Sequence, residues 1–249
     1  MKQGFRISFF NLLWLLTIFS AEAWALDYRP LEKGLDYATL QADAGTKIHI
    51  LKVDLKFFSA KVLDARDLKK STLAVKTLAE KSKALAAINA NFFDTDGKPL
   101  GLVLQNGKLK NPPKNISWWA SLLLKDDQIQ IERNAGAERS LKFQNGVQAG
   151  PRLVVNGKTV KLKEEFSPKS AVGIDRQGHL VLIATEGSIE INQFAQWLAK
   201  KEKSGGIGLS QAMNLDGGSS TQFFAKAGDL NLWISGFAKV PVALGIFRK

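Results

Sequence analysis

The chain has 249 residues, a hydrophobic fraction of 45% and a formal net charge of +12, which suits one sizeable core under a surface that attracts anions. It contains no cysteine and only two histidines. That excludes a disulfide framework, thiol catalysis and zinc sites built on thiolates or several imidazoles.

Lys2 and Arg6 precede an apolar run over residues 7–19, and the sequence AEAWA follows, with Ala23 and Ala25 in a small-x-small pattern. This predicts an export signal over residues 1–25, cleaved near Ala25, and a mature protein working in the periplasm or outside the cell. The run is short for a bilayer span of roughly 20 residues. Residues 26–45 read as a lead-in and 46–249 as a single domain without linker or internal repeat. Lysines 52, 56, 61, 69, 70, 76, 81 and 83 read as a solvated basic face. For an exported protein they imply contact with an anionic membrane, cell wall or acidic glycan, not with nucleic acid.

KIHILKVD at 47–54 and a second run at 59–63 alternate as strands do. Residues 71–82 carry an amphipathic pattern behind a Ser-Thr cap, predicting a helix. The strand ALAAINANFF then ends in Asn89, Asn91 and Asp94. Asparagine is disfavoured in a sheet interior, so these side chains either tie down a loop or face a ligand. DTDGKPLG resembles the start of a calcium loop, but Gln105 stands where the bidentate glutamate belongs, and a hairpin at Asp96-Gly97 fits better.

Short strands with turn punctuation follow at 101–104, 118–124 and 129–132, which favours an antiparallel sheet. Of the adjacent Trp118 and Trp119, at most one can face a sugar, because neighbouring strand residues point to opposite sides. Residues 133–146 give no clear element. Arg152 begins a strand over 152–155 at a loop junction, where a guanidinium can grip phosphate with a fixed fork. Residues 171–175 and 179–185 form a hairpin closed by Glu186 and Gly187. His179 has no evident carboxylate partner, which argues against a serine-histidine triad. A helix then starts near Ile191.

MNLDGGSSTQF at 213–223 is richer than a turn requires. Gly217 and Gly218 leave their peptide N–H groups open to a ligand, and Ser219, Ser220 and Thr221 add hydroxyls, a combination suited to an anion or a phosphorylated sugar. The chain closes on the strand VPVALGIF. The sum is an α+β fold, a mainly antiparallel β core with a few covering helices.

Taken together, NANFF at 89–93 with Gly101, Gly150-Pro151 with Leu153 and Gly157, the SAVGI strand at 170–174, Glu186-Gly187, NLDGGSS at 214–220 and PVALGI at 241–246 resemble the phosphodiester glycosidase family from about Thr46 to Phe247. Two departures stand out. Asn89-Ala90-Asn91 replaces a common Asn-Gly-Gly, and Lys169 replaces a common arginine, keeping the charge but losing the fork.

The resemblance implies a hydrolase that frees a sugar from a sugar 1-phosphodiester, on a small-molecule or polymeric phosphoglycan substrate, with no cofactor and a divalent cation left open. It implies Asp216 as the catalytic carboxylate, Glu186 as the second and Asp94 in reserve. Gly217, Gly218, Ser219, Arg152 and Lys169 would stabilise the phosphate, and Asn89, Asn91, Ser170 and Ser220 would complete the substrate contacts. The alternative is a noncatalytic envelope protein that binds anionic glycan or phospholipid headgroups through the same pocket.

Overall fold

In the computed structural model, which describes residues 25–133 and 135–249, the strand Thr46–Val53 explains the architecture. Ile48 and Ile50 face one way, Leu51 and Val53 the other, and all four are fully buried. An antiparallel strand apolar on both sides needs a layer over each face. It lies inside an eight-stranded sheet, between Leu35–Asp43 and Leu180–Glu186. Beyond Leu180–Glu186 the order continues through Ser170–Ile174, Gln211–Asn214, Arg152–Val155 and Lys158–Thr159. Residues 26–45, expected as a lead-in, instead supply two strands of this sheet, Arg29–Glu32 and Leu35–Asp43. The expected export signal lies almost wholly outside the described residues.

Two five-stranded antiparallel sheets complete the α+β fold. One runs in the order Lys108–Asn111, Val103–Gln105, Asn145–Ala149, Ala120–Lys125, Gln128–Arg133. The other runs Leu230–Ile234, Phe223–Ala227, Ala86–Asn89, Val242–Arg248, Phe58–Asp64. The three larger sheets turn one face to a common core in which Leu51, Leu182, Leu122, Val147, Ile88 and Phe223 meet, and a fourth, two-stranded sheet pairs Phe166–Ser167 with Ile189–Glu190.

The outer faces are covered separately. Helix Ile191–Ala199 packs Phe194, Ala195 and Leu198 on the large sheet, and its N-cap Glu190 accepts from the amides of Asn192 and Gln193. Helix Val75–Ser82 packs Val75, Leu78 and Ala79 on the sheet that carries Ala86–Asn89. It begins four residues later than the predicted 71, and its cap is remote: Gln222 Oε1 accepts from the Val75 amide at 3.0 Å. The hairpin at Asp96-Gly97 forms as read, with Asp94 Oδ1 accepting from the amides of Asp96 and Lys98.

Strand Asn145–Ala149 sits in the middle of its sheet, although residues 133–146 gave no clear element in the sequence. Gly146 serves packing: a Cβ there would stand 3.0 Å from both Leu122 O and Leu123 Cδ2. Gly146→Val is expected to lower stability by about 1–3 kcal/mol through overpacking. Gly136→Ala, where an added Cβ meets nothing within 4 Å, should stay within about 0.5 kcal/mol of wild type. Urea denaturation measures both.

Candidate active site

The loop after Gln211–Asn214 is fixed by a single buried amide. Asn89, at the end of its strand and fully buried, donates from Nδ2 to Asp216 O, while its Oδ1 accepts from Ser170 Oγ at 2.7 Å and from the Gln222 amide at 3.0 Å. The Asp216 amide donates to Ala90 O at 2.9 Å and the Leu215 amide to Ser170 O at 2.8 Å. Three segments far apart in sequence are thereby joined. The strand-end asparagine ties down a loop; it and Ser170 are buried inside this network and do not line a cavity.

Asp216 opens into a cleft of about 790 Å³, within the range of small-molecule sites. Gly217, Gly218 and Ser219 line it beside Asp216, with Ser167 close against Gly217; Phe92 and Trp118 add aromatic rings, and Lys161, Lys163 and Glu165 the remaining charges. Trp118 is 53% exposed and Trp119 is buried; both lie in the turn before the strand, which starts at Ala120 and not at the expected 118, so the division comes from the turn and not from strand alternation. The Gly218 amide donates to Pro168 O at 2.8 Å, so it is not open to a ligand as the sequence suggested. The Gly217 amide has no acceptor among the described residues. Asn214 also lines the cleft; its Nδ2 donates to Leu215 O at 2.6 Å, and its buried Oδ1 has no partner.

The two carboxylates of the cleft are driven apart. Burial pushes Asp216 up to about 6, against a hydrogen bond from Ser220 that pulls it down. For Glu165, burial acts upward, but hydrogen bonds from Lys169 and Ser167 and the Lys169 charge together outweigh it and hold the carboxyl below its ordinary value. Lys169 itself is 1% exposed, and its Nζ donates to Glu165 Oε2 and, at 2.8 Å, to Ser167 Oγ. Burial lowers its pKa. It braces the cleft wall from behind, a different place from the phosphate contact expected of it. Among the described residues no three His, Asp or Glu side chains gather as a metal site.

Several predicted residues lie elsewhere. Arg152 is half-buried and donates to Gln211 Oε1 at 2.7 Å, away from the cleft lining. Asn91 is buried, with Nδ2 directed at the carbonyls of Leu100, Leu102 and Gln148. Asp94 is spent on its own hairpin. Glu186 lines a separate groove on the other side of Gly218. His179 does have a carboxylate partner: its Nδ1 lies 2.9 Å from Asp175 Oδ2 across the hairpin turn, a pair joined by Lys52 and by none of the loop serines. Sequence reasoning missed Glu165, Lys161 and Lys163, because KLKEEF carries the charge density of an ordinary exposed loop.

The phosphodiester glycosidase family description matches residues 82–247, a span that contains Asn89, the Lys161–Lys169 wall and the whole Asp216 loop. This chain belongs to the phosphodiester glycosidase family. Its likeness to the catalytic domain of zebrafish N-acetylglucosamine-1-phosphodiester alpha-N-acetylglucosaminidase, auto-inhibited by pro-peptide, has a TM-score of 0.68 at 18% identity, over 90% of this chain and 87% of that one. A hypothetical protein from Synechocystis gives 0.67 at 17% identity, over 90% and 64%. The uncharacterized protein YigE of Escherichia coli strain K12 is 25% identical over 146 residues, 53% of this chain and 54% of that protein. The chain thus spans about half the length of that curated relative. The structural likenesses establish a shared fold.

Two outcomes follow for the loop. Asn89→Ala leaves Ser170 Oγ, the Gln222 amide and Asp216 O without their partner and is expected to cost on the order of 3 kcal/mol in urea denaturation, against about 1 kcal/mol for Ser170→Ala. The raised carboxyl of Asp216 contributes stability that is complete below 3.8 and lost as pH rises through about 6. Asp216→Asn should therefore raise the melting temperature at pH 7–8, by up to about 3 kcal/mol of stability, and leave it unchanged near pH 3.

Proposed function

We propose that this protein is an exported hydrolase that cleaves the C1–O bond of a sugar 1-phosphodiester in the Asp216 cleft. The observation that carries the reading is that a partly buried carboxylate, an unpartnered Gly217 amide and the side chains of Lys161 and Lys163 line one cleft. Most glycosidases use a carboxylic acid to protonate an alkoxide leaving group. A phosphomonoester leaving group, with a last pKa of about 6, needs no such proton.

What it needs is stabilisation of growing charge on phosphate oxygens and a carboxylate at the anomeric carbon. The two lysines and the Gly217 amide supply the first. Asp216 supplies the second, since a group poised near 6 is ionised at neutral pH yet remains basic. Asn214 Oδ1, an orphan acceptor in the same cleft, suits a sugar hydroxyl. Glu165 stays ionised against Lys169, which leaves the charges of Lys161 and Lys163 for the phosphate. Trp118 offers a ring on which the sugar can stack. The N-terminal charge and apolar pattern supports delivery beyond the cytoplasm, where phosphoglycans are the matching substrate class.

With a chromogenic sugar 1-phosphodiester, kcat/KM is expected to rise with pH and level off above about 6. Ser220→Ala should move that limb to higher pH, because it removes the hydrogen bond that lowers Asp216. Asp216→Asn should reduce the rate by about 10²–10⁴-fold. A rate that falls through the same pH region, or equal rates for wild type and Asp216→Asn, overturns the assignment. Saturable diester binding with no product would mark a binding protein instead.

A further inference from the structure

The strand Phe58–Asp64 is the last of its sheet, and an uncovered edge offers its peptide N–H and C=O groups to any passing chain. Most of this edge is covered by other means. Asn145 Oδ1 accepts from the Val62 amide and Gln105 Nε2 donates to Val62 O, both at 3.1 Å, so two side chains of the neighbouring sheet stand in for a strand. At the other end the Phe58 amide donates to Asp54 O at 3.2 Å. Val62 thus turns its peptide groups away from Val242–Arg248. The register between these two strands has no bulge, so Ala60, two residues back, turns its own the same way. Among the described residues nothing bonds to the Ala60 N–H or C=O on that side.

There the edge opens into a pocket of about 360 Å³ lined by Ala60, Lys61, Asn106, Lys125, Asp126 and Asn145. It lies a strand's length from the Asp216 cleft, because Asn145 begins the strand that ends at Ala149, next to the cleft-lining Gly150. Asn145 is 5% exposed, and its Oδ1 is spent on the Val62 and Asn106 amides. Its Nδ2 has no acceptor among the described residues, which leaves an almost buried donor on the pocket wall. Lys61 and Lys125 have no ion-pair partner among the described residues, and the pocket's carboxylate, Asp126, accepts from Gln144 Nε2 at 3.4 Å.

A ligand that satisfies this wall must bring a charged acceptor to Asn145 Nδ2 and the two lysines, and a donor and acceptor with strand spacing to Ala60. A bare anion meets the first demand and an internal peptide segment the second. The carboxyl-terminal residue of a peptide meets both.

We propose that this pocket captures the carboxyl-terminal residue of a peptide laid along the Phe58–Asp64 edge. The N–H of that residue donates to Ala60 O, an upstream carbonyl accepts from the Ala60 amide, and the carboxylate lies against Asn145 Nδ2 with Lys61 and Lys125 beside it. The site does not rest on the hydrolase reading. It gives the protein an attachment to peptide-bearing partners that leaves the Asp216 cleft free.

Calorimetry on the full chain with N-acetyl-tetra-alanine, as the free acid and as the carboxamide, tests the site. The free acid should bind at least about tenfold more tightly, the worth of one hydrogen bond to a charged group. Asn145→Asp keeps the acceptor for the Val62 and Asn106 amides and removes the donor; Lys61→Gln stands at an exposed position that leaves folding intact. Each should weaken binding of the acid about tenfold, and Asp216→Asn should leave it unchanged. Equal affinity for acid and amide, binding of neither, or an acid affinity unmoved by Lys61→Gln overturns the proposal. Inorganic phosphate that displaces the peptide with equal affinity also overturns it, by making the pocket a plain anion site.

Discussion

The Asn89 amide is the constraint on which the site depends. Among the described residues its carboxamide ties the strand end to the SAVGI strand and to both ends of the glycine loop, and it does so fully buried. In a low-dielectric interior such a network holds one arrangement strongly, because every alternative leaves a polar atom unpaired. Gln222, next to the loop, extends the same network to the cap of helix Val75–Ser82 and to Ala238 O. The glycine loop is therefore rigid by attachment, although its composition suggests freedom.

Rigidity of this kind lets burial act on Asp216. A mobile loop would carry its carboxylate into water and restore an ordinary pKa; a pinned one holds it where ionisation is costly. Glu165, in the same cleft, is set by the contrary device, with a buried lysine drawing it down. Two acids facing one cleft are given different protonation behaviour by environment alone, the pattern expected of a site that performs chemistry.

Several strands were legible because alternation and turn residues are local signals: the 171–175 and 179–185 arms in the large sheet and the closing strand in a smaller one follow from them, whereas Arg29–Glu32 and Leu35–Asp43 were read as a lead-in. Asn145–Ala149 was not legible either, since the reason for Gly146 is the approach of Leu122 and Leu123 from another strand. Within the site, Asp216 and its glycines stood out by composition. The destinations of the polar residues around them did not. Asn89, Asn91, Ser170 and Lys169 are as polar as any ligand-binding set, and only packing decides that they face inward to one another and to the backbone. Glu165 had the reverse fate, with no local mark to separate it from Glu164 beside it.

The span matched by the family begins at residue 82, yet the sheets on which its site rests do not. Leu180–Glu186 pairs along its length with Thr46–Val53, and Val242–Arg248 with Phe58–Asp64, so both partners precede that boundary. An excised piece starting there would expose two long rows of unsatisfied peptide groups and the apolar faces between them, an invitation to stick to its own copies. What is inherited as a recognisable signature and what folds as an autonomous body are, in this protein, different lengths of chain.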